Sequence, residues 1–166
     1  MQESLKLLHN RRSIRKYTNQ PVSPEQVEAI LRAAMAAPSA SNKQPWQFIA
    51  VQERSTLDQL ADVHQHAKML KEATLCIVVC GDRANKFWEQ DCAAATQNIL
   101  LAATGLGLGS VWLGIHPNPD PVSKVAQLLG IPETHLPLCL ISIGHPAEKK
   151  DPADRFDQGK VHWEKW

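Results

Sequence analysis

Residues 92–119 read CAAATQNILLAATGLGLGSVWLGIHPNP, and none of them is charged. The stretch is long enough for a membrane helix, which needs roughly 20 predominantly apolar residues. Its interior argues otherwise. Thr96, Gln97, Asn98 and Thr104 are polar, Gly105, Gly107 and Gly109 follow, and Pro117 and Pro119 close it. Backbone broken in this way would leave peptide groups unpaired in lipid. The stretch therefore reads as a buried helix over 88–104, a glycine turn and a strand over 109–114, with no membrane association. The inner half of the helix is apolar nearly all round, which requires cover on several sides. One small sheet cannot supply that cover, so a second subunit is expected against the helix.

Working outward, LCIVVCG at 75–81 is a continuous apolar run, the pattern of a strand buried on both faces. Further strands are expected at 46–51 and 138–144. A short helix over 3–10 should turn Leu5, Leu8 and His9 inward. A second begins after Ser23, a good N-cap with Pro24 at the first helical position and Gln26 completing a capping box, and ends near Ala37 and Pro38. Residues 55–71 read as a polar, amphipathic helical region whose end the pattern leaves open, and 118–129 as a short helix capped by Gly130. The fold class is α+β or α/β, one sheet flanked by helices, in a single domain spanning 1–166. The polar tail, 145–166, carries Phe156, Trp163 and Trp166, which are expected to anchor on the partner subunit.

Composition narrows the function. With 43% hydrophobic and 21% charged residues the chain is globular, and its 166 residues suit one domain. Net charge is +1, from 18 basic and 17 acidic residues, so a nucleic-acid protein with a broad basic face is not expected. Cys76, Cys80, Cys92 and Cys139 contain no C-x-x-C pair and read as reduced, buried thiols of a cytoplasmic protein. The polar start, Met1 to Ser4, shows no signal peptide. Only His64 and His66 are closely spaced histidines, and nothing beside them completes a metal site. No serine triad or carboxylate pair is visible, so an enzyme of this sequence would rely on a cofactor.

Three stretches remain. Arg11, Arg12, Ser13, Ile14, Arg15 and Lys16 place four cations and a hydroxyl in six residues. If extended, Arg11, Ser13 and Arg15 share a face, and guanidinium forks suit phosphate. By itself such a cluster also fits a solvated turn. Pro38 to Gln44 is dense in hydroxyls and amides, suited to a heterocycle's edge or to ordinary turns. The Gly105–Gly109 run lacks the dinucleotide fingerprint, having the wrong spacing and following a helix. Gly114, just past a strand, leaves bare backbone that a flat ligand could approach.

Together these pieces resemble the FMN-dependent nitroreductase family. RRSIRKY at 11–17, AAPSASNKQPWQF at 36–48, GLGLGSVWLG at 105–114, and GHPAE at 144–148 with Arg155 and Phe156 fall in family order and span nearly the whole chain. The resemblance implies a central, mostly antiparallel sheet in an intertwined homodimer, with FMN at the subunit interface. By match of motif, Arg11, Ser13 and Arg15 would hold the phosphate and ribityl chain, with Arg12 close by and Arg155 returning from the tail. Pro38, Ser39, Ala40, Ser41, Asn42 and Gln44 would reach the flavin from the neighbouring subunit, Ala40 standing where relatives often have serine. The backbone of Leu113 and Gly114 would face the ring, and Lys68 is a candidate contact. No side chain is expected to do acid–base work. NADH or NADPH would be the electron donor and a nitro compound, quinone or similar molecule the acceptor, in a ping-pong scheme. A flavin carrier or sensor, or a relative with dehydrogenase or dehalogenase chemistry, stays open at this point. The chain also lacks the mid-chain helical excursion that helps roof the pocket in longer relatives.

Overall fold

The computed structural model describes residues 3–166. Met1 and Gln2, on which the signal-peptide reading partly rests, lie outside them. The elements are α1 (Glu3–Asn10), α2 (Pro24–Met35), β1 (Trp46–Val51), α3 (Arg54–Asp62), β2 (Leu75–Asp82), α4 (Trp88–Gly105), β3 (Gly109–Gly114), α5 (Pro119–Leu129) and β4 (His135–Gly144), with short 3-10 turns between them. The four strands form one sheet in the order β1-β2-β4-β3, antiparallel throughout. β1 and β3 are therefore its two edges. No described helix is long and apolar enough to cross a membrane.

The pleat of β2 explains its continuous apolar run. Leu75, Ile77 and Val79 join one core with α2 and α4, while Cys76, Val78 and Cys80 join a second with α3 and Val125 of α5. Alternate side chains point to opposite faces, so a strand covered by helices on both sides is apolar at every position. Pro137 has no N–H to give to the ladder, and the β2–β4 register shifts opposite it, between Val79 and Cys80. Burial pushes the thiols of Cys80, Cys92 and Cys139 up to about 12, and all four cysteines are free and buried. None is a poised nucleophile.

Most local readings hold. The capping box at Ser23 and Gln26 is formed in both directions, and Gly130 caps α5 in the left-handed region. Two do not. Leu5, Leu8 and His9 are exposed rather than inward, and Leu7 is the α1 leucine that packs near Gly105. Residues 55–71 are not one helix. α3 stops at Asp62, and the chain turns through 63–67 into a 3-10 turn over Lys68–Lys71. Burial of Ala67, Leu70 and Ala73 in the second core bends the segment against the sheet, and that packing outweighs helical propensity.

The segment 11–17 is not a solvated turn. It lies along the β3 edge, where Ser13 bridges Ser110 and the Ile14 N–H donates to the Ser110 carbonyl at 3.0 Å. Ile14 and Tyr17 are buried. Each sits over a glycine of the register pair Gly109–Gly144. A Cβ on Gly109 would fall 2.6 Å from Ile14 Cγ2, and one on Gly144 would fall 2.9 Å from Tyr17 Cδ1. Gly109→Ala and Gly144→Ala should each lower stability by about 1–3 kcal/mol, the usual range for overpacking. Urea unfolding measures this, and an unchanged midpoint in both variants would show that the fit is loose.

Candidate functional site

Fixing Ile14 and Tyr17 inward leaves the cations of this segment outward. The Tyr17 hydroxyl donates to the Ile14 carbonyl at 2.6 Å, and its burial raises its pKa. The strand exit after β4 straps the segment down. The Thr18 N–H donates to the His145 carbonyl and the Ala147 N–H to the Lys16 carbonyl, both at 2.9 Å. The Arg15 N–H donates to Glu148 Oε1 at 2.6 Å, and Lys150 Nζ donates to the Ser13 carbonyl at 2.7 Å. That Arg15 N–H, and then Lys150, hold the Glu148 carboxyl below the usual range. Glu148 and Lys150 are braces that sequence reasoning missed, since their partners are main-chain atoms about 135 positions away, which no motif encodes.

The cations divide between two clefts. Arg11 and Arg155 line the first, a groove of about 390 Å³ with Leu8, His9, Ala153, Asp154 and Phe156. Burial, then the neighbouring Arg155 and Arg12, lower the Arg11 pKa. Arg12 donates to the Asp151 carbonyl. Among the described residues no carboxylate forms an ion pair with Arg11, Arg12, Arg15 or Arg155. Asp154, in the same groove, accepts instead from the Phe156 N–H. Three guanidinium groups held near one another, none of them in an ion pair, are suited to a multivalent anion such as a phosphate.

Arg15 lines the second cleft with Leu113, Gly114, Trp112, Lys68, Met69, His64, Gln65 and His66. Its volume, about 470 Å³, lies within the range of small-molecule sites. Gly114 opens onto it, with nothing within 4 Å of where a Cβ would stand. Lys68 lines the same cleft, paired with Asp62 at 2.8 Å. Arg11 and Arg15 thus line different clefts of this chain.

The loop 38–44 stands apart from both. It enters β1, three strand spacings or roughly 14 Å across the sheet from β3. Ser41, Asn42 and Gln44 all have positive φ, at 51°, 53° and 48°. Non-glycine residues in that region cost about 1–3 kcal/mol each and persist only where surroundings hold them. Here the Gln44 N–H donates to Ser39 Oγ, Gln44 Nε2 donates to Asn42 Oδ1, and the Ala40 N–H donates to Oδ1 of the buried Asp91, each at 3.0 Å. Asp91 was not foreseen, because nothing local marks one acid of α4 as buried beneath a loop. Among the described residues no group of histidines, cysteines or acids could hold a metal ion.

The nitroreductase family model matches residues 8–67 and 61–145. A relative from Archaeoglobus fulgidus, provisionally named an NADH dehydrogenase/NAD(P)H nitroreductase, is 46% identical over 174 residues, covering 100% of both chains. A crystal structure from Parabacteroides distasonis, with the same provisional name, superposes with a TM-score of 0.97 at 40% identity and covers 100% of each chain. Another, from Desulfovibrio desulfuricans, is provisionally a nitroreductase in complex with FMN. It gives a TM-score of 0.85 at 33% identity, covering 100% of this chain and 99% of that one. In sequence and in fold, the chain belongs to the nitroreductase family.

Proposed function

We propose that the protein is an FMN-dependent NAD(P)H oxidoreductase of nitroreductase type. The observation that carries this reading is the cluster of Arg11 and Arg12 with Arg155 of the tail, free of carboxylate ion pairs, beside a segment that also delivers Arg15 to a cleft over Gly114. The donor set fits FMN. Arg11, Arg12, Ser13 and Arg155 would take the phosphate end. Arg15 and the backbone of Leu113 and Gly114 would take the ring end, with Lys68 beside it. When bound, FMN supplies the hydride-accepting and hydride-donating chemistry that no side chain here provides.

The protein's part is binding, orientation and charge. Arg15 and Lys68 oppose the negative charge that reduction brings into the cleft. The cleft is broad and open, and it serves the nicotinamide and then the acceptor in turn, which is the ping-pong order. The acceptor is an electron-poor molecule such as a nitro compound or a quinone. The whole chain, 1–166, works as one domain of a homodimer. Pro38, Ser39, Ala40, Ser41, Asn42 and Gln44 complete the flavin site of the neighbouring subunit, which accounts for a strained, braced loop far from the two cationic clefts of its own chain. The exposed Leu5, Leu8, Phe156, Trp163 and Trp166 are the apolar surface that a partner covers, with the tail 145–166 wrapping it.

Anaerobic mixing with NADH or NADPH should bleach the flavin band, and absence of bleaching with both would overturn the reductase. Arg11→Ala should weaken FMN binding by about 1.5–3 kcal/mol, roughly ten- to a hundredfold, the range for hydrogen bonds to charged groups. Equilibrium dialysis of FMN measures this, and unchanged retention would move the phosphate elsewhere. Sedimentation should return two chains per particle. A monomer that still retains FMN would overturn the shared site.

A further inference from the structure

The turn between α3 and the 3-10 segment carries His64, Gln65 and His66 into the wall of the cleft over Gly114. Their hydrogen bonds fix both tautomers. The His66 backbone N–H donates to His64 Nδ1 at 3.2 Å, so the proton of neutral His64 is on Nε2. The Gln65 amide nitrogen lies 3.2 Å from His66 Nε2 and can only donate there, so neutral His66 carries its proton on Nδ1. The two rings are tilted, with centroids 5.2 Å apart. Each keeps one N–H donor that no hydrogen bond within the turn uses.

The rest of the lining has the same polarity. Arg15 is paired with no carboxylate. Lys68 of the lining is paired with Asp62 at 2.8 Å, and Lys71, outside the cleft, shares that carboxylate at 3.3 Å. No acidic residue lines the cleft, and Glu148 is engaged by the Arg15 N–H and by Lys150. Leu113, Met69 and the half-exposed Trp112 add an apolar surface suited to a ring. The geometry points to an acceptor site selective for aromatic compounds that carry a carboxylate, with the His64 and His66 N–H groups as the donors that recognise the carboxylate. This rests on the flavin reading, in which Arg15 and Lys68 are occupied at the ring and the histidine pair is left to face the acceptor.

Benzoate and benzamide are redox-inert, flat and alike in size, differing in charge. Titrated into the oxidised, FMN-loaded protein and read by the shift of the flavin absorption band, benzoate should bind at least tenfold more tightly. The double variant His64→Phe, His66→Phe keeps two rings and removes both donors. It should narrow the gap to under threefold while still binding FMN. Equal affinities in the wild type would overturn the inference, as would a tenfold gap retained in the variant. Should the double variant not fold, His64→Gln alone must still reduce the preference. If the protein holds no FMN, the flavin reading fails separately, and calorimetry with benzoate on the wild type and the double variant then decides the histidine assignment, which a preference retained in the variant overturns.

Discussion

Two glycines paired across β3 and β4 make room for the segment on which the site is built. Gly109 and Gly144 are register partners, and side chains on either would collide with Ile14 or Tyr17. Their bareness lets an N-terminal strand-like segment lie against the sheet edge, with two apolar anchors pressed down at the glycine pair. The anchors set the phase of everything between and around them. Once Ile14 is down, Arg15 follows along the β3 edge toward Trp112 and Gly114, and Arg11 comes near the tail arginine. The charge pattern of 11–16 therefore takes its use from a packing constraint on its apolar members.

The same segment also closes the sheet. β3 is an edge strand, and an open edge is a row of unpaired peptide groups. The Ile14 N–H donating to Ser110, together with the strap from 145–150, covers part of that edge with the protein's own chain. The strap makes the cationic segment stiff. Guanidinium groups carried on a stiff backbone lose less freedom on binding an anion, which is the benefit of preorganisation. Burial of like charges near one another opposes folding, as the lowered pKa of Arg11 shows, and a bound anion would relieve that opposition.

The strained loop before β1 is the counterpart at the other edge. Ser41, Asn42 and Gln44 occupy a backbone region that disfavours side chains, and the buried carboxylate of Asp91 helps to hold them there. The two stretches that the proposed reading assigns to one flavin site lie on opposite edges of one sheet. A second copy of the chain is the physical means of joining them under the proposed reading, and the uncovered leucines of α1 and tryptophans of the tail mark apolar surface available for that contact.

What the sequence determined by itself was whatever local chemistry dictates. The capping box at Ser23 and Gln26, the apolar run of β2, the glycine stop after α4 and the left-handed cap at Gly130 all act within a few residues, and each was legible. The order of the family motifs carried the fold class as well. Tertiary structure alone decided which α1 leucine packs against the chain, that 55–71 breaks after Asp62, that Arg11 and Arg15 serve separate clefts, and that His64 and His66 stand in one cleft with Gly114. The reason is common to these cases. Each depends on contacts between residues far apart in the chain, where burial in a shared core outweighs local propensity, and periodicity within one segment carries no information about its distant partner.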